Sequence, residues 1–366
     1  MIEWEKGLVS RGNWAAIQAC MERAAAGDEI TVGFLGGSIT QGCHATEPEL
    51  CYAQRVWKWW QNTFPKANIR FVNAGIGATN SQFAVARVDE DLLRYKPDFV
   101  LAEFSVNEDS TPHFRETYEG LVRKLLKSGT ALMLMNNVFY NTGINAQQVH
   151  VEVAQHYAIP SVSMKETIYA ALLRGELQNR DISRDDLHPN DYGHDLVARV
   201  ICHFLERARV APREQAPAEI LPAPLTPNRY EDSRRYQNHN SNPQCQGFVA
   251  DEEPQEDILQ IFRRGYTAWK VGDRITFAVE GSCIGVQYRK SVIQPTPIAR
   301  ITVDGEHEML LDGNFTETWG DCLHLDTVVE GLEPGIHSVT VEIAEAHEND
   351  KVPFYLVSVI GSNSPC

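Results

Sequence analysis

Three side chains in the first half of the sequence have the types needed to transfer an acyl group. Ser38 ends the stretch GFLGGS, where two glycines follow an apolar run, so its hydroxyl would stand at a tight turn after a strand. His188 could take the proton that makes a serine hydroxyl nucleophilic, and Asp185, three residues earlier, could orient the imidazole. Asp186 is the alternative orienting group, and a Ser38 that only caps a helix is the alternative to a nucleophile.

Acyl transfer also needs hydrogen-bond donors for the oxyanion of the tetrahedral intermediate. Two further segments, VNAGIGATNS and SVNE, follow apolar runs as the first one does. The backbone N–H groups of Ser38 and Gly77 and the side-chain amide of Asn107 could supply three donors, with Gly75 as the alternative to Gly77. Loss of one such donor in a hydrolase typically raises the barrier by about 2.7–4 kcal/mol.

The elements that would position these groups alternate between strands and helices. Apolar runs predict strands at 30–36, 69–73, 98–104, 131–138 and 159–163, and helices are predicted near 13–25, 49–64, 80–94, 114–128, 145–157 and 191–207. This alternation indicates an α/β domain over 1–209 with a five-stranded parallel sheet. Because the carboxyl ends of parallel strands share one crevice, the candidate groups are expected to meet there.

The remainder of the chain follows a different pattern. The proline-rich, polar segment 210–245 predicts a linker or a strap over a surface. From 246 to 366, short alternating strands predict an all-β sandwich or jelly roll. Asp304-Gly305, Asp312-Gly313 and Pro334-Gly335 are interpreted as turns between those strands.

Charge and composition exclude several classes of partner. The chain has 366 residues and a formal net charge of −16, and an acidic surface repels nucleic acid and anionic membranes. The N-terminus lacks a signal-peptide pattern, and no apolar run approaches the roughly 20 residues of a membrane span. The eight cysteines include no C-x-x-C pair, so reduced thiols and a cytoplasmic location are expected. The oligomeric state stays open, with a homodimer as one alternative.

Histidines near the last predicted helix raise the alternative of a metal site. His188, His194 and His203 match no standard zinc spacing. The Asn190-Asp191 pair between them is better explained as a helix cap. No metal ion is therefore expected.

Four segments occur in an order and at spacings that resemble a known family. GGSIT, NAGIGATNS, SVNE and DDLHP are similar to the blocks of the SGNH, or GDSL-type, hydrolases, and they cover a little over half of the chain. The resemblance implies a flavodoxin-like five-stranded parallel sheet and no cofactor. It also implies that Ser38 is the nucleophile, that Gly77 and Asn107 complete the oxyanion hole, and that Asp185 and His188 complete the triad.

Two positions depart from that family's pattern. Gly37 stands where the GDSL pattern has aspartate, and Ser105-Val106-Asn107-Glu108 stands where the third block usually reads Gly-x-Asn-Asp. The asparagine is retained, so the chemistry is expected to hold while the local geometry differs. The G-x-S-x-G pattern of α/β-hydrolases is not met, because position 40 is threonine.

The order of the two domains favours a sugar ester as the substrate. An SGNH domain followed by a β-sandwich resembles carbohydrate O-acetylesterases, in particular the mannan acetylesterases of carbohydrate esterase family 17, whose second domain is similar to a carbohydrate-binding module. The resemblance implies a serine esterase that removes O-acetyl groups from imported plant oligosaccharides, with acetylated manno-oligosaccharides first. The alternatives are an acetylxylan esterase and a thioesterase or lysophospholipase-type esterase. A non-catalytic binding protein that keeps the fold is a further alternative, against which the presence of all four catalytic residue types argues.

Trp319, in the segment NFTETWGDC, is the candidate for stacking on a sugar. This role supposes that the second domain packs over the mouth of the active site. The alternative is that Trp319 belongs to the core of the sandwich.

Overall fold

Two sheets organise the chain, one in each of two units. The computed structural model describes residues 2–216 and 220–365, and the chain divides between Asn228 and Arg229. The segment 210–245, predicted to be a linker, is shared between the units: its residues up to Asn228 belong to the first, and later ones form strands of the second. Pro217 of that segment lies outside the described residues.

The sheet of the first unit confirms the predicted α/β class. Its strands are β1 (Leu8–Ser10), β2 (Glu29–Gly36), β3 (Asn68–Gly75), β4 (Phe99–Glu103), β5 (Ala131–Asn136) and β6 (Ser161–Ser163). They lie in the order β1-β6-β5-β4-β2-β3, and β2 to β6 run parallel, as predicted. The sixth strand, β1, was not predicted, since three residues are too few to show a pattern; it pairs antiparallel with β6.

Helices cover this sheet, and side-chain caps begin three of them. In the described residues they are α1 (Ala15–Ala26), α2 (Ser38–Gln41), α3 (Tyr52–Thr63), α4 (Ser81–Asp91), α5 (Pro112–Lys127), α6 (Gln147–His156), α7 (Ala170–Leu173), α8 (Asn179–Ile182) and α9 (Asp191–Val210). Short 3₁₀ turns occupy Trp4–Gly7, Pro48–Leu50 and Leu93–Tyr95, and a π-helical turn occupies Lys165–Tyr169. Asn80, Thr111 and Asn190 accept backbone N–H bonds in the first turns of α4, α5 and α9. The four-residue helices α2, α7 and α8 were not predicted, because so short a segment has no helical period.

The second unit confirms the predicted all-β class. Its strands are β7 (Asp232–Tyr236), β8 (Gln244–Gln246), β9 (Val249–Ala250), β10 (Tyr266–Ala268), β11 (Arg274–Lys290), β12 (Ile298–Val303), β13 (His307–Asp312), β14 (Cys322–Glu345) and β15 (Phe354–Asn363). They pair antiparallel in the order β13-β12-β14-β11-β15-β10-β9, with β7 on β15 and β8 on β11.

Two predictions about this unit need correction. The predicted strands 274–281 and 283–290 form one long strand, β11, which continues through a register shift between Gly281 and Cys283. The Pro334-Gly335 pair lies within β14 beside that shift and does not separate two strands. A bulge uses the same residue types as a turn, so the sequence did not distinguish the two.

The described cysteines are free thiols. Cys366 lies outside the described residues. Among those residues, no helix is long and apolar enough to cross a membrane.

Candidate active site

The strands that precede the candidate residues end in register. Gly36, the last residue of β2, lies opposite Gly75 of β3 on one side and Glu103 of β4 on the other. Each predicted residue follows its strand end by a few positions along the chain. The three turns therefore bring Ser38 and its two predicted partners to one edge of the sheet, as expected for parallel strands.

The glycines before Ser38 allow its helix to lie directly on the sheet. A β-carbon at Gly36 would overlap the Thr40 hydroxyl, and one at Gly75 would overlap the backbone of Thr40 and Gln41. Only residues without a side chain permit this approach of α2 to the ends of β2 and β3. The glycines thus set the position of Ser38, which is the first residue of α2.

A buried arginine fixes the same strand ends from the other side. The Arg87 guanidinium donates to the Ala74 carbonyl at 2.9 Å and to the Gly36 carbonyl at 3.4 Å, and it pairs with Asp91 at 2.9 Å. Because Arg87 is fully buried, desolvation lowers its pKa, although the charge of Asp91 acts in the opposite direction. The carbonyls just before the two glycine turns therefore have a fixed charged partner.

Ser38, His188 and Asp185 form a continuous hydrogen-bonded chain. The Ser38 hydroxyl lies 2.8 Å from His188 Nε2, and His188 Nδ1 lies 2.6 Å from Asp185 Oδ2. The base is thus within reach of the serine proton, and a carboxylate holds the opposite nitrogen of the ring. This is the arrangement that acyl transfer by a serine requires.

Asp185 is held as a carboxylate by the loop that carries it. Its Oδ1 accepts the backbone N–H of His188 at 2.8 Å and that of Leu187 at 3.1 Å. Partial burial acts to raise the pKa of Asp185, but the hydrogen bonds from the His188 ring and from these N–H groups outweigh it and hold the pKa well below its usual range. The negative charge facing His188 Nδ1 therefore persists to a lower pH than the charge of an ordinary aspartate would.

The alternative orienting residue, Asp186, points to other partners. Its backbone is left-handed, with a φ of 69°. Its side chain accepts from Asn179 Nδ2 at 2.6 Å and pairs with Arg180 at 3.1 Å. Asp186 thus fastens the loop to α8, and among the two aspartates Asp185 contacts the histidine.

The predicted oxyanion donors lie around Ser38, but one of them already has an acceptor. The Ser38 N–H is at the start of α2, where a helix offers no internal acceptor. The Gly77 N–H donates to Gln41 Oε1 at 2.7 Å, and a β-carbon at Gly77 would lie 3.6 Å from Ser38 Cβ. The alternative, Gly75, lies in the strand with its N–H bonded to Asn73. No sequence pattern marked Gln41 as a partner of Gly77.

Asn107 lies against Gly37, one of the two departures from the family pattern. A β-carbon at residue 37 would be 2.8 Å from Asn107 Oδ1, so a side chain at residue 37 would require the Asn107 amide to shift. Asn107 itself is partly exposed, so its amide can be reached from the crevice. The glycine at 37 therefore makes the room that the Asn107 side chain occupies.

Glu108, the second departure, connects two turns of the site. Its Oε1 accepts the Ser81 N–H at 2.5 Å in the first turn of α4, and its Oε2 lies 2.8 Å from His150 Nε2. Both side chains of the pair are fully buried, and the His150 ring stacks on Tyr118 with centroids 3.6 Å apart. The longer glutamate thus joins the turn after β4 to the helix that follows the Gly77 turn. Sequence reasoning missed this role because His150 is distant in the chain.

The histidines weighed as metal ligands do not gather at one point. His194 bonds the Tyr52 N–H at 3.3 Å and the Cys43 carbonyl at 3.1 Å, and His203 lies 3.0 Å from Glu5. Among the described residues, a different set, His44 with Asp185 and His188, brings its ligand atoms within 4.8 Å of one another. Asp185 and His188 in this set are already bonded to each other.

Trp319 is an exposed residue of the second unit. It lies between β13 and β14, is 60% exposed, and meets Phe315 edge-on with ring centroids 5.0 Å apart. The alternative that it belongs to the sandwich core is therefore wrong. Its contact with a sugar stays a prediction.

Known proteins resemble both parts of the chain. Residues 34–196 match the profile of the GDSL-like lipase/acylhydrolase family. The solved structure of a two-domain esterase active on acetylated mannans, co-crystallized with mannopentaose, is 54% identical with a TM-score of 0.96, over 100% of this chain and 99% of that one. A second structure of such an esterase is 53% identical with a TM-score of 0.98, over 100% of both chains. An acetylxylan esterase from Geobacillus stearothermophilus is 25% identical, covering 45% of this chain and 89% of that protein.

Proposed function

The chain belongs to the GDSL-like lipase/acylhydrolase family, and on that premise we propose that it is a serine esterase that removes O-acetyl groups from acetylated manno-oligosaccharides. The substrate class is supported by the 54% identity to a two-domain esterase active on acetylated mannans. The match covers 100% of this chain and 99% of that one. The observation that carries the reaction type is the 2.8 Å contact between Ser38 Oγ and His188 Nε2.

The first half of the reaction transfers the acetyl group to Ser38. The Ser38 oxygen attacks the carbonyl carbon of the ester while its proton passes to His188 Nε2, and Asp185 stabilises the imidazolium. The negative oxygen of the tetrahedral intermediate takes the N–H groups of Ser38 and Gly77 and the amide of Asn107. For Gly77 to serve, the side chain of Gln41 must first release its N–H. The carbon–oxygen bond to the sugar then breaks, and His188 gives its proton to the departing sugar oxygen.

The second half of the reaction frees the enzyme. His188 accepts a proton from water, whose oxygen attacks the acetyl carbonyl of the acyl-enzyme. The same three donors hold the second tetrahedral intermediate. Its collapse releases acetate and returns the proton from His188 to the Ser38 oxygen.

Mass-spectrometric deacetylation of mixed acetylated manno- and xylo-oligosaccharides tests the proposal. We expect the wild type to remove acetyl units from the manno series and Ser38→Ala to remove none. Ser128→Ala is the matched control, because this exposed serine lies after α5, at the end of the sheet where β5 begins. No loss from either series, with turnover of an aryl acetate intact, would refute the sugar substrate and leave the serine chemistry.

Acetylated xylo-oligosaccharides are the second candidate substrate. The observation in their favour is the 25% identity to an acetylxylan esterase over 89% of that protein's length. Faster loss of acetyl units from the xylo series than from the manno series, abolished by Ser38→Ala, would establish this alternative.

A further inference from the structure

A pocket of about 380 Å³ lies beside the histidine of the triad, and the reaction above does not use it. Two segments line it. One is the loop after α2, with His44 and Thr46, and the other is the loop before α9 together with the start of that helix, with Arg184, Asp191 and Tyr192. The His44 ring is the link to the triad, since its centroid lies 5.1 Å from that of His188. The volume of the pocket is within the range of small-molecule sites, roughly 300–1,000 Å³.

The direction of proton transfer decides which part of the substrate lies near this pocket. The oxygen that leaves with the sugar must come within hydrogen-bond distance of His188 Nε2 to receive its proton. The carbonyl oxygen is held separately, by the donors around Ser38. The alcohol part of the ester is therefore next to His188, and the ring bonded to that oxygen extends past the histidine. We propose that this pocket is the site for the sugar unit that carries the acetyl group, an inference that rests on the proposed function.

The pocket is held in shape by hydrogen bonds between its two segments. Asp191 accepts the backbone N–H of Thr46 at 2.8 Å and its hydroxyl at 2.7 Å. His194 reaches the Cys43 carbonyl at 3.1 Å. Between these two fixed points, His44 has a left-handed backbone with a φ of 67°, a conformation that the surrounding contacts must maintain. The walls thus exist before a sugar arrives, and binding loses little free energy to ordering them.

The chemistry of the free side chains suits a pyranose. Tyr192 is 45% exposed, and its ring offers an apolar face with a hydroxyl at its tip. Within the described part of the chain, neither this hydroxyl nor the Arg184 guanidinium has a hydrogen-bond partner. The His44 Nε2 lies 3.9 Å from Asp185 Oδ2, beyond hydrogen-bond distance, so it too keeps a polar atom for a ligand. The face of the Tyr192 ring can contact the C–H face of one sugar. The polar ends of Tyr192, Arg184 and His44 can bond its hydroxyl groups.

Full-length Tyr192→Ala, Arg184→Ala and the double variant test this assignment. The substrates are acetylated manno-oligosaccharides and 4-nitrophenyl acetate, whose alcohol is a flat aryl group. We expect kcat/KM for the sugar ester to fall about 10-fold in each single variant and about 100-fold in the double variant, chiefly through KM, as loss of ground-state and transition-state binding together would produce. Hydrolysis of 4-nitrophenyl acetate should stay within about twofold of the wild type.

Three further measurements separate the role of the pocket from general damage. Tyr95→Ala removes a tyrosine from the 3₁₀ turn before β4, at the end of that strand away from Asn107. It should change neither the hydrolysis of the sugar ester nor that of 4-nitrophenyl acetate. Product inhibition by deacetylated mannotriose should weaken about 10-fold in Tyr192→Ala, since the released alcohol occupies the same pocket. Tyr192→Phe keeps the ring, so it should retain stacking and lose only the contact of the hydroxyl.

Each other outcome overturns a defined statement. If Tyr192→Ala and the double variant deacetylate sugars as fast as the wild type, the assignment of the pocket is refuted and the proposed function is left intact. An equal fall on both substrates would refute it as well, because the defect would lie in the triad. A wild type that cleaves 4-nitrophenyl acetate and no sugar ester would refute the proposed function together with the pocket.

Discussion

At the residue scale, the absence of a β-carbon at residue 37 determines where the Asn107 side chain of the oxyanion hole lies. The amide of Asn107 fits its place only because residue 37 has no β-carbon, and an added one would lie 2.8 Å from Asn107 Oδ1. The family's aspartate at this position would require the Asn107 amide to shift from where it now lies. The departure at Gly37 and the position of Asn107 are therefore one feature of the structure.

Gly37→Ala should act as the loss of an oxyanion donor. We expect the methyl group to displace the Asn107 amide and to lower kcat for 4-nitrophenyl acetate by about 10²–10³-fold, the effect of removing one such donor. KM should change little, because the amide bonds the oxyanion more strongly than the ground-state carbonyl. Steady-state kinetics with Gly335→Ala as control checks this, since a β-carbon there meets only the Glu333 carbonyl, at 3.9 Å. Full activity of Gly37→Ala would contradict the assigned place of Asn107.

The two neighbouring aspartates provide a matched pair of variants. Asp185→Asn keeps the loop but removes the charge that faces His188 Nδ1, so kcat should fall by about 10²–10⁴-fold, as when the histidine of a triad loses its correct tautomer. Asp186→Asn makes the same change of carboxylate to amide in the same loop, yet the partners of Asp186 are Asn141, Asn179 and Arg180. Its kcat should remain within about threefold of the wild type. Initial rates on an aryl acetate measure both, and equal defects would show that only the loop matters.

At the scale of elements, His194 joins three parts of the site. It lies in α9 and bonds the start of α3 and the loop that carries His44, and each ring nitrogen has a partner. Burial lowers the pKa of His194 to about 4, whereas the ordinary value is 6.5. The folded protein therefore holds this ring neutral at pH values where the unfolded chain would protonate it.

This difference in pKa predicts a loss of stability in acid. Between pH 6.5 and 4 the unfolded chain binds more protons at His194, so the free energy of unfolding falls as the pH falls. Between pH 7 and pH 5 the contribution of this group amounts to about 2 kcal/mol. His194→Gln should be less stable at pH 7 but should lose about 2 kcal/mol less on going to pH 5, measured by urea unfolding.

His203→Gln is the control for that experiment. This residue lies in the same helix, but it is partly exposed and bonded to Glu5 at the surface. Its acid sensitivity should follow the wild type. If the free energy of unfolding of His194→Gln fell with pH as steeply as that of the wild type, the neutral, buried state of the His194 ring would be contradicted.

Elements that are long and apolar could be predicted from the sequence, and others could not. The central strands β4 and β5 each show as a nearly continuous apolar run, because both faces of a parallel sheet are buried. In contrast, β1 is formed by pairing with β6, and α2 by packing on two glycines. Such elements depend on tertiary contacts, which leave no periodic pattern in a few residues.

The site residues also divide into those that a short segment of sequence identifies and those that only contacts distant in the sequence identify. Ser38, Asp185 and His188 could be assigned from their turns and spacing, because each lies in a short segment with distinctive residues. The contacts of Gln41 with Gly77 and of Glu108 with His150 join residues 36 and 42 positions apart. Neither residue type is unusual in its own segment, so only the fold brings these pairs together.

At the scale of the whole molecule, the charge of −16 should distinguish neutral from anionic substrates. For neutral acetylated manno-oligosaccharides, kcat/KM should stay within about twofold as ionic strength rises, because no long-range force acts on them. For acetylated oligosaccharides bearing uronic acid, kcat/KM should be lower at low salt and should rise with salt, as screening relieves repulsion. Rates at 20 and 500 mM sodium chloride measure this, and a fall with salt for the anionic ester would contradict it.

The bond between Gly77 N–H and Gln41 Oε1 makes carbonyl binding a competition. The Gln41 amide is tethered one helical turn from Ser38, so its effective concentration at this donor is high, and a neutral ester oxygen replaces it with little net gain. A charged oxyanion is a different competitor, because hydrogen bonds to ionised acceptors are about twice as strong as neutral ones. Breaking the bond to Gln41 costs the same free energy whichever oxygen replaces it, so the exchange is favourable for the tetrahedral intermediate and nearly neutral for the intact ester. The Gly77 donor of the oxyanion hole therefore contributes to lowering the reaction barrier and adds little to binding of the intact substrate.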